Sequence, residues 1–349
     1  MIVRRPRTLV VRLDNAGDVL LAGPAVRAVT AGSAHTAMLC GPLGEAAAHL
    51  LPGLDEILVH DAPWVGFSPP RVRRATVDAL VDRIAARRFD RALVLASYHQ
   101  SPLPAALLLK MAGVPWVAAD CEDYPGSLLD LRHCRADQRH EAAAALDLAE
   151  AAGFALPDGD QGELRITAPP DTTALTGPEP YVVVHPGASV PARAWSPARA
   201  TRAVAALAEA GHRVVVTGGP AEKELTATVA GRHALDLGGR TRLPELAGVL
   251  ARARCTVVGN TGPSHLSAAA GTPVACLFAP VVPADRWLPY RVPHVVLGRQ
   301  DAPCWGTRAR VCPVPGHPCL DSVTDGEVLA AVESLISPAA PHPAPLRTG

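Results

Sequence analysis

Short apolar runs alternate along this chain with longer segments of helical spacing, separated by polar or glycine-containing turns. Residues 8–13 predict a buried strand, Asp14-Asn15-Ala16-Gly17 a turn, and the Ala, Val and Leu positions from Asp18 a helix to about Thr30. Pro24 falls in the second turn of that helix and predicts a kink or a late start. Strands follow at 37–40, 56–60, 91–96 and 114–118, and helices at 44–50, 74–87, 102–112 and 139–152. Residues 122–135 are weakly patterned and predict a loop.

Residues 168–180 hold four prolines in thirteen positions and predict neither a core helix nor a central strand. The strand-first order then repeats, with strands at 181–184, 213–217, 235–237, 255–258 and 274–278. Helices are predicted near 197–210, 221–230, 243–251 and 264–270, with Ser196 and Pro197 as N-cap and first residue of the first of these. The pattern is that of two α/β domains in tandem, each a mostly parallel sheet covered on both faces. The expected division is 1–172, 180–320, a last helix at 321–336 and a fraying tail at 337–349.

Composition narrows the partners. The chain has 349 residues, 48% of them apolar and 19% charged, enough for two cores. Its 33 basic residues balance 33 acidic ones, so no polyelectrolyte footprint for nucleic acid exists and small partners are favoured. No apolar run reaches the roughly 18 residues that span a bilayer. Residues 1–6 lack the apolar segment of a secretion signal. The expectation is a cytoplasmic protein, with peripheral contact at the inner face of the membrane if its acceptor is lipid-linked, although no strongly basic amphipathic helix announces it. Five cysteines (Cys40, Cys121, Cys134, Cys255, Cys276) are scattered, while Cys304, Cys312 and Cys319 cluster around His317. That cluster has metal-binding chemistry, but its spacings are wider than zinc hairpins, and packed free thiols are the expectation.

In open parallel sheets ligands bind beyond the carboxyl ends of strands. Four exits carry unusual polar content: 14–18 in the first half, and 185–189, 218–222 and 260–265 in the second. Cys255 to Val258, the turn Gly259-Asn260-Thr261-Gly262-Pro263 and the helix from Ser264 place unpaired backbone N–H groups where phosphate can sit. His185-Pro186-Gly187-Ala188-Ser189 lets backbone approach a ligand, and Arg193 in the same loop offers a bidentate grip on diphosphate or, on the plainer reading, is a mobile surface side chain. Glu222 either accepts from ribose hydroxyls or steadies a first helical turn. Gly238-Gly239-Arg240-Thr241 marks a further exit of the same half, but is weak as a motif. Asp18 is a candidate proton acceptor beside an apolar pocket of Val19, Leu20 or Trp64, or else a helix cap. Dinucleotide and phosphate-loop fingerprints are absent. The donor side is expected on the second domain and the reacting partner on the first, meeting in the cleft.

Three blocks in this order carry a resemblance: Val10-Val11-Arg12-Leu13-Asp14-Asn15-Ala16-Gly17-Asp18-Val19-Leu20-Leu21 with Pro24-Ala25-Val26-Arg27; His185-Pro186-Gly187-Ala188; and Asn260-Thr261-Gly262-Pro263-Ser264-His265-Leu266 with Ala268-Ala269-Ala270-Gly271-Thr272-Pro273. The chain resembles the ADP-heptose:lipopolysaccharide heptosyltransferase family, glycosyltransferase family 9, over nearly its whole length. The resemblance implies a GT-B fold, two Rossmann-like domains with parallel sheets facing a central cleft. The C-terminal domain would bind a nucleotide-diphosphate sugar, an ADP-linked heptose being the expected form, and the last helix would pack back towards the N-terminal domain.

It further implies an inverting, metal-independent transfer to an acceptor hydroxyl with Asp18 as general base and no cofactor. Donor contacts would come from His185, Gly187, Ala188, Ser189, Arg193, Glu222, Asn260, Thr261, Gly262, Pro263 and His265, and acceptor contacts from Asp14, Asn15, Gly17 and Trp64. Two departures stand out. Asn260 replaces the family's usual Asp before Thr-Gly, and Arg193-Ala194-Trp195 stands where the family usually presents Lys. The late cysteines echo a cysteine-rich segment of the family. Abundant Ala, Pro, Arg and Gly with scarce lysine point to a GC-rich genome, so another sugar and a cell-envelope glycan or small metabolite as acceptor are open alternatives. A nucleotide-sugar epimerase or hydrolase, or a non-catalytic nucleotide-sugar-binding protein, would suit the same fold.

Overall fold

The computed structural model describes residues 4–135 and 139–337, so the expected tail beyond Ser337 lies outside the described residues. The chain divides into two compact units, Met1–Thr167 and Ala168–Gly349. In the first, β1 (Arg7–Arg12), β2 (His35–Cys40), β3 (Glu56–Val59), β4 (Arg91–Val94), β5 (Trp116–Asp120) and β6 (Leu131–His133) form one parallel sheet ordered β3-β2-β1-β4-β5-β6. Its helices are α1 (Ala16–Leu21), α2 (Gly23–Gly32), α3 (Glu45–Ala48), α4 (Arg74–Ala85), α5 (Leu103–Met111) and α6 (Glu141–Ala151). β1 lies at the centre, and Leu9, Val10 and Val11 are essentially sealed from solvent. Both faces are covered, so the middle of the strand, Leu9 to Val11, is a continuous apolar run rather than an alternation.

The expected helix from Asp18 is two helices. α1 ends at Leu21, Ala22 donates back to the carbonyls of Asp18 and Val19, and α2 restarts at Gly23 with Pro24 in its first turn. A proline costs no hydrogen bond there, because the first N–H groups of a helix have no intrahelical acceptor.

The second unit repeats the winding. β7 (Val182–His185), β8 (Val214–Val216), β9 (Ala234–Asp236), β10 (Cys255–Gly259), β11 (Val274–Leu277) and β12 (His294–Leu297) pair in parallel in the order β12-β11-β10-β7-β8-β9. Its helices are α7 (Thr173–Thr176), α8 (Pro197–Glu209), α9 (Lys223–Ala230), α10 (Leu243–Ala251), α11 (Gly262–Ala269), α12 (Ala284–Trp287), α13 (Pro318–Asp321) and α14 (Asp325–Ile336). Ser196 caps α8 by accepting from Arg199 N at 3.3 Å, with Pro197 first in the helix.

One expectation is corrected. β6 and β12 were not foreseen: both are short edge strands, paired on one side; β6 is mixed in sequence, while β12 carries the apolar run Val295-Val296-Leu297. The proline-rich segment belongs to the second unit, where Thr172 and Thr176 are buried and Arg252 reaches Asp171 at 3.1 Å. The final helix lies against α8, β10, β11 and β12 of its own unit, with Val328, Ala331 and Val332 in that core. No helix among the described residues is long and apolar enough to cross a membrane.

The last stretch of the first unit is fastened to α2 by charge. Arg27 grips Asp160 through Nε–Oδ2 at 2.6 Å and Nη2–Oδ1 at 2.9 Å, and Nη2 also donates to the Glu163 carbonyl at 2.7 Å. Hydrogen bonding from Arg27 outweighs burial and holds the Asp160 carboxyl at about 2, below its ordinary 3.8. A depressed carboxylate stabilises the fold above its unfolded value and loses that contribution as pH falls through the folded one, here about 2 kcal/mol. Urea unfolding of the chain and of Asp160→Asn should therefore differ by about that amount at neutral pH. The gap should hold down to about pH 4 and close towards pH 2. A gap that does not narrow would show that the charge is not what Arg27 uses.

Candidate functional site

Strand order reverses between β1 and β4 in the first unit, so the segments leaving these neighbours diverge and expose the strand ends. Arg12, the last residue of β1, is 2% exposed, an unusual place for a guanidinium. Its Nε lies 2.9 Å from Asp14 Oδ2, and its Nη2 donates to Asp18 Oδ1 at 3.1 Å and to Ser97 Oγ at 2.8 Å. Glu141 of α6, fully buried, places Oε2 3.9 Å from the same nitrogen. Glu141 Oε1 accepts from Arg135 at 2.8 Å, and Arg135 also reaches Asp120 Oδ2 at 2.9 Å and the Ala96 carbonyl at 3.1 Å. Burial works to lower the proton affinity of Arg12, but Asp14, Asp18 and Glu141 outweigh it and the net direction is upward, so the guanidinium stays charged.

Asp14 and Asp18 share this cation and differ in access. Asp14 is nearly buried; Gln100 Nε2 donates to its Oδ1 at 2.5 Å and Ser97 Oγ reaches its Oδ2 at 3.5 Å. Burial pushes the Asp14 carboxyl up, Arg12 opposes, and the Asp18 charge adds to the rise. Asp18, in the first turn of α1, keeps 21% of its side chain exposed, and its Oδ2 has no partner among the described residues. Asn15 is the exposed residue before α1, with no side-chain capping bond, and Gly17 is buried within the helix. Trp64 lines a small cavity with Asp14, Gln100, Leu13 and Leu95, which joins two of the expected acceptor-side residues. Beyond it a cavity of about 370 Å³ is lined by His60, Asp61, Arg71, Arg73 and Val77, and the His60 and Trp64 rings are 6.2 Å apart.

The second unit reverses between β7 and β10. His185, last in β7, is 7% exposed, with Nδ1 3.0 Å from Thr217 Oγ1 and Nε2 3.9 Å from Glu222 Oε2. Burial pushes the imidazole below its ordinary value and Glu222 opposes this. Of the two roles expected of Glu222, the one seen is the steadying of its turn. Its Oε2 accepts from Gly219 N at 2.7 Å, closing the turn, while its carboxyl end lies over Gly187, where an added Cβ would come within 1.9 Å of Oε1. Ala188 is half-buried and Ser189 exposed on the same exit. Arg193 ends a 3-10 turn, and its carbonyl stands 3.3 Å from where a Cβ on Gly259 would lie, so this loop covers the end of β10. Gly238 and Gly239 join the β8 exit, Gly239 N donating to the Gly218 carbonyl at 2.8 Å.

The β10 exit is less rich in free N–H groups than its sequence predicts. Thr261 N is spent on the Gly259 carbonyl at 2.8 Å, Ser264 N on the Thr261 carbonyl at 3.0 Å, and Pro263 has none. Side chains fill the deficit: Asn260 Nδ2 and Thr261 Oγ1 are buried without partners among the described residues. Asn260 Oδ1 accepts from Ala279 N at 3.4 Å, which turns the amide nitrogen the other way. His265 is buried in the first turn of α11.

Sequence reasoning missed Ser97, Gln100, Arg135 and Glu141, which come from the β4 exit, the segment before α6 and α6 itself; Arg12 stood inside a motif without a role. Among the described residues no group of three or more His, Cys, Asp or Glu side chains is placed to hold a metal ion. Cys304 and Cys319 are buried and Cys312 half-buried; burial first, then Cys304 and Cys312, raise the Cys319 thiol to about 12.

A family model, Glycosyltransferase family 9 (heptosyltransferase), matches residues 77–316, which leaves the Asp18 motif outside the matched range. Lipopolysaccharide heptosyltransferase 3 of Escherichia coli K12 is 31% identical over 111 residues, 30% of this chain, and the chain spans only 32% of that relative's length. Among solved structures, a glycosyl transferase family 9 protein from Veillonella parvula superposes with a TM-score of 0.76 at 18% identity, covering 96% of this chain and 98% of that one. The E. coli ADP-heptose lps heptosyltransferase II gives 0.74 at 18% identity, with 95% and 98% covered. The E. coli heptosyltransferase WaaC with ADP-2-deoxy-2-fluoro heptose gives 0.65 at 22% identity, with 94% and 99% covered. Shared with these is a pair of helix-flanked parallel-sheet domains of GT-B type.

The packing of Glu222 over Gly187 is testable without a ligand. Gly187→Ala should push the carboxylate off Gly219 N and lower unfolding free energy by roughly 1 kcal/mol. In a Glu222→Ala background the same change should cost almost nothing, as measured by chemical denaturation. Equal costs in both backgrounds would refute the contact.

Proposed function

This chain belongs to glycosyltransferase family 9 (heptosyltransferase), and on that premise we propose that it transfers a sugar from a nucleotide-diphosphate donor to an acceptor hydroxyl, with Asp18 as general base. The observation that carries the reading is the contrast between two carboxylates around one buried cation. Asp14 is enclosed and accepts from Gln100 and Ser97, while Asp18 presents a free oxygen to solvent from the same anchored cluster. That oxygen takes the acceptor proton as the acceptor oxygen bonds to the anomeric carbon. The bond from that carbon to the diphosphate oxygen breaks with its electron pair leaving on the nucleoside diphosphate, and configuration inverts.

On the donor side, Arg193, Gly262 N–H, Thr261 Oγ1 and Asn260 Nδ2 supply positive charge and hydrogen bonds to the diphosphate as it departs. Glu222 accepts from ribose hydroxyls, and His185, Gly187, Ala188, Ser189, Pro263 and His265 shape the same surface. Asn15, Gly17 and Trp64 flank the acceptor, and Arg71 and Arg73 suit an acceptor carrying an anionic group. A heptose from ADP-heptose is the first donor to try, given the activities for which the matched E. coli proteins are named.

Mass-spectrometric assay with ADP-, GDP-, UDP- and dTDP-sugars against an acceptor panel is the deciding experiment. Transfer product is expected; free or epimerised sugar formed without acceptor would replace this reading by hydrolysis or epimerisation. Asp18→Asn should lower kcat by roughly 100- to 10,000-fold with donor affinity kept, since only proton acceptance is removed. Arg193→Ala should weaken nucleoside diphosphate binding by roughly 10-fold or more in calorimetric titration. Unchanged affinity would remove Arg193 from the donor site.

A further inference from the structure

We infer that Arg12 is a positioning residue for the transfer: through one nitrogen shared between Asp18 and Ser97, it fixes where the reactive carboxylate points. The inference rests on the reading of Asp18 as the base. Nη2 has two N–H bonds, one directed to Asp18 Oδ1 at 3.1 Å and the other to Ser97 Oγ at 2.8 Å. Because a guanidinium is planar, these two bonds from one nitrogen constrain its plane, while Asp14 lies 2.9 Å from Nε as a charge contact without a hydrogen bond. One Asp18 oxygen is thereby held and the other faces outward.

The anchorage behind Arg12 comes from rigid elements. Arg12 ends the central strand, Ser97 lies on the segment leaving its neighbour β4, and Glu141, 3.9 Å from Nη2, belongs to the first turn of α6. Glu141 is in turn tied to Arg135, which bonds the Ala96 carbonyl at 3.1 Å. Both exits at the strand-order reversal and one covering helix therefore meet on one guanidinium.

Stability alone is a poor reason for this arrangement. The three residues before Arg12 are buried aliphatics, and buried ion clusters are often no more stabilising than the apolar side chains that could replace them. What the cluster adds is directional: a base must hold its geometry to within a fraction of an ångström, and a 1 Å error costs about 100-fold in rate.

A cycle on kcat separates positioning from mere support. Arg12→Lys keeps the charge, but a single ammonium cannot serve Asp14, Asp18 and Ser97 in one plane. Ser97→Ala removes one anchor with a change small enough to fold. In the otherwise unaltered chain, with whichever panel donor is turned over, Arg12→Lys should lower kcat by roughly 10- to 100-fold and Ser97→Ala by several-fold, with donor KM changed less than about twofold. Arg12→Gln should fall further, with Arg12→Lys recovering part of the loss. In the Asp18→Asn background both Arg12→Lys and Ser97→Ala should change the residual rate by less than about threefold, because no base is left to aim. Equal fold-losses in the two backgrounds would overturn the positioning role while leaving Asp18 as base. Absence of any transfer by the unaltered chain, or full activity in Asp18→Asn, would overturn the proposed function itself, and this inference with it.

Discussion

Where a parallel sheet reverses its winding, two adjacent strands send their chains in opposite directions, and the ground between them must be filled by side chains. Both sheets of this protein obey that constraint, at β1 and β4 and again at β7 and β10. Nearly every residue given chemistry here sits on one of those four exits or on the neighbouring β8 exit. Away from these exits the sheets are largely apolar and covered on both faces, and most of the polar groups gather at the exits.

The two reversals are filled in opposite ways. In the first unit a buried guanidinium gathers Asp14, Asp18 and Glu141, leaving an acidic surface with one accessible oxygen. In the second a neutral imidazole, a buried amide and a hydroxyl leave hydrogen bonds to give, with the Glu222 carboxylate over the β7 exit. An acidic exit suits proton acceptance, and a donor-rich one suits a departing diphosphate. Asn260 takes part in that exit as an amide, which adds a donor where a carboxylate would add negative charge.

Edge and centre differed in how plainly they showed. Central strands such as Val182–His185 and Cys255–Gly259 are buried on both faces and appear as apolar runs. Leu131–His133 is a half-buried edge of mixed sequence that nothing in its composition separates from a loop, whereas His294–Leu297, also an edge, carries the apolar run Val295-Val296-Leu297. Pro24 shows the same ambiguity within a helix: its ring marks a disturbance, and only the local hydrogen bonding makes it the start of a second helix rather than a kink.

The sequence by itself determined the two tandem α/β domains, the exits that carry polar residues and the motif containing Asp18, because burial periodicity and turn chemistry are local properties of a chain. It could not reveal that Arg12 is shared with Ser97 and Glu141, which lie 85 and 129 positions away, since such pairing depends on which strands become neighbours. Nor could it reveal that Thr261 and Ser264 spend their N–H groups within their own turn, or that the last helix rests on the second sheet. Those outcomes follow from competition between local carbonyls, distant partners and core packing, which only the folded chain resolves.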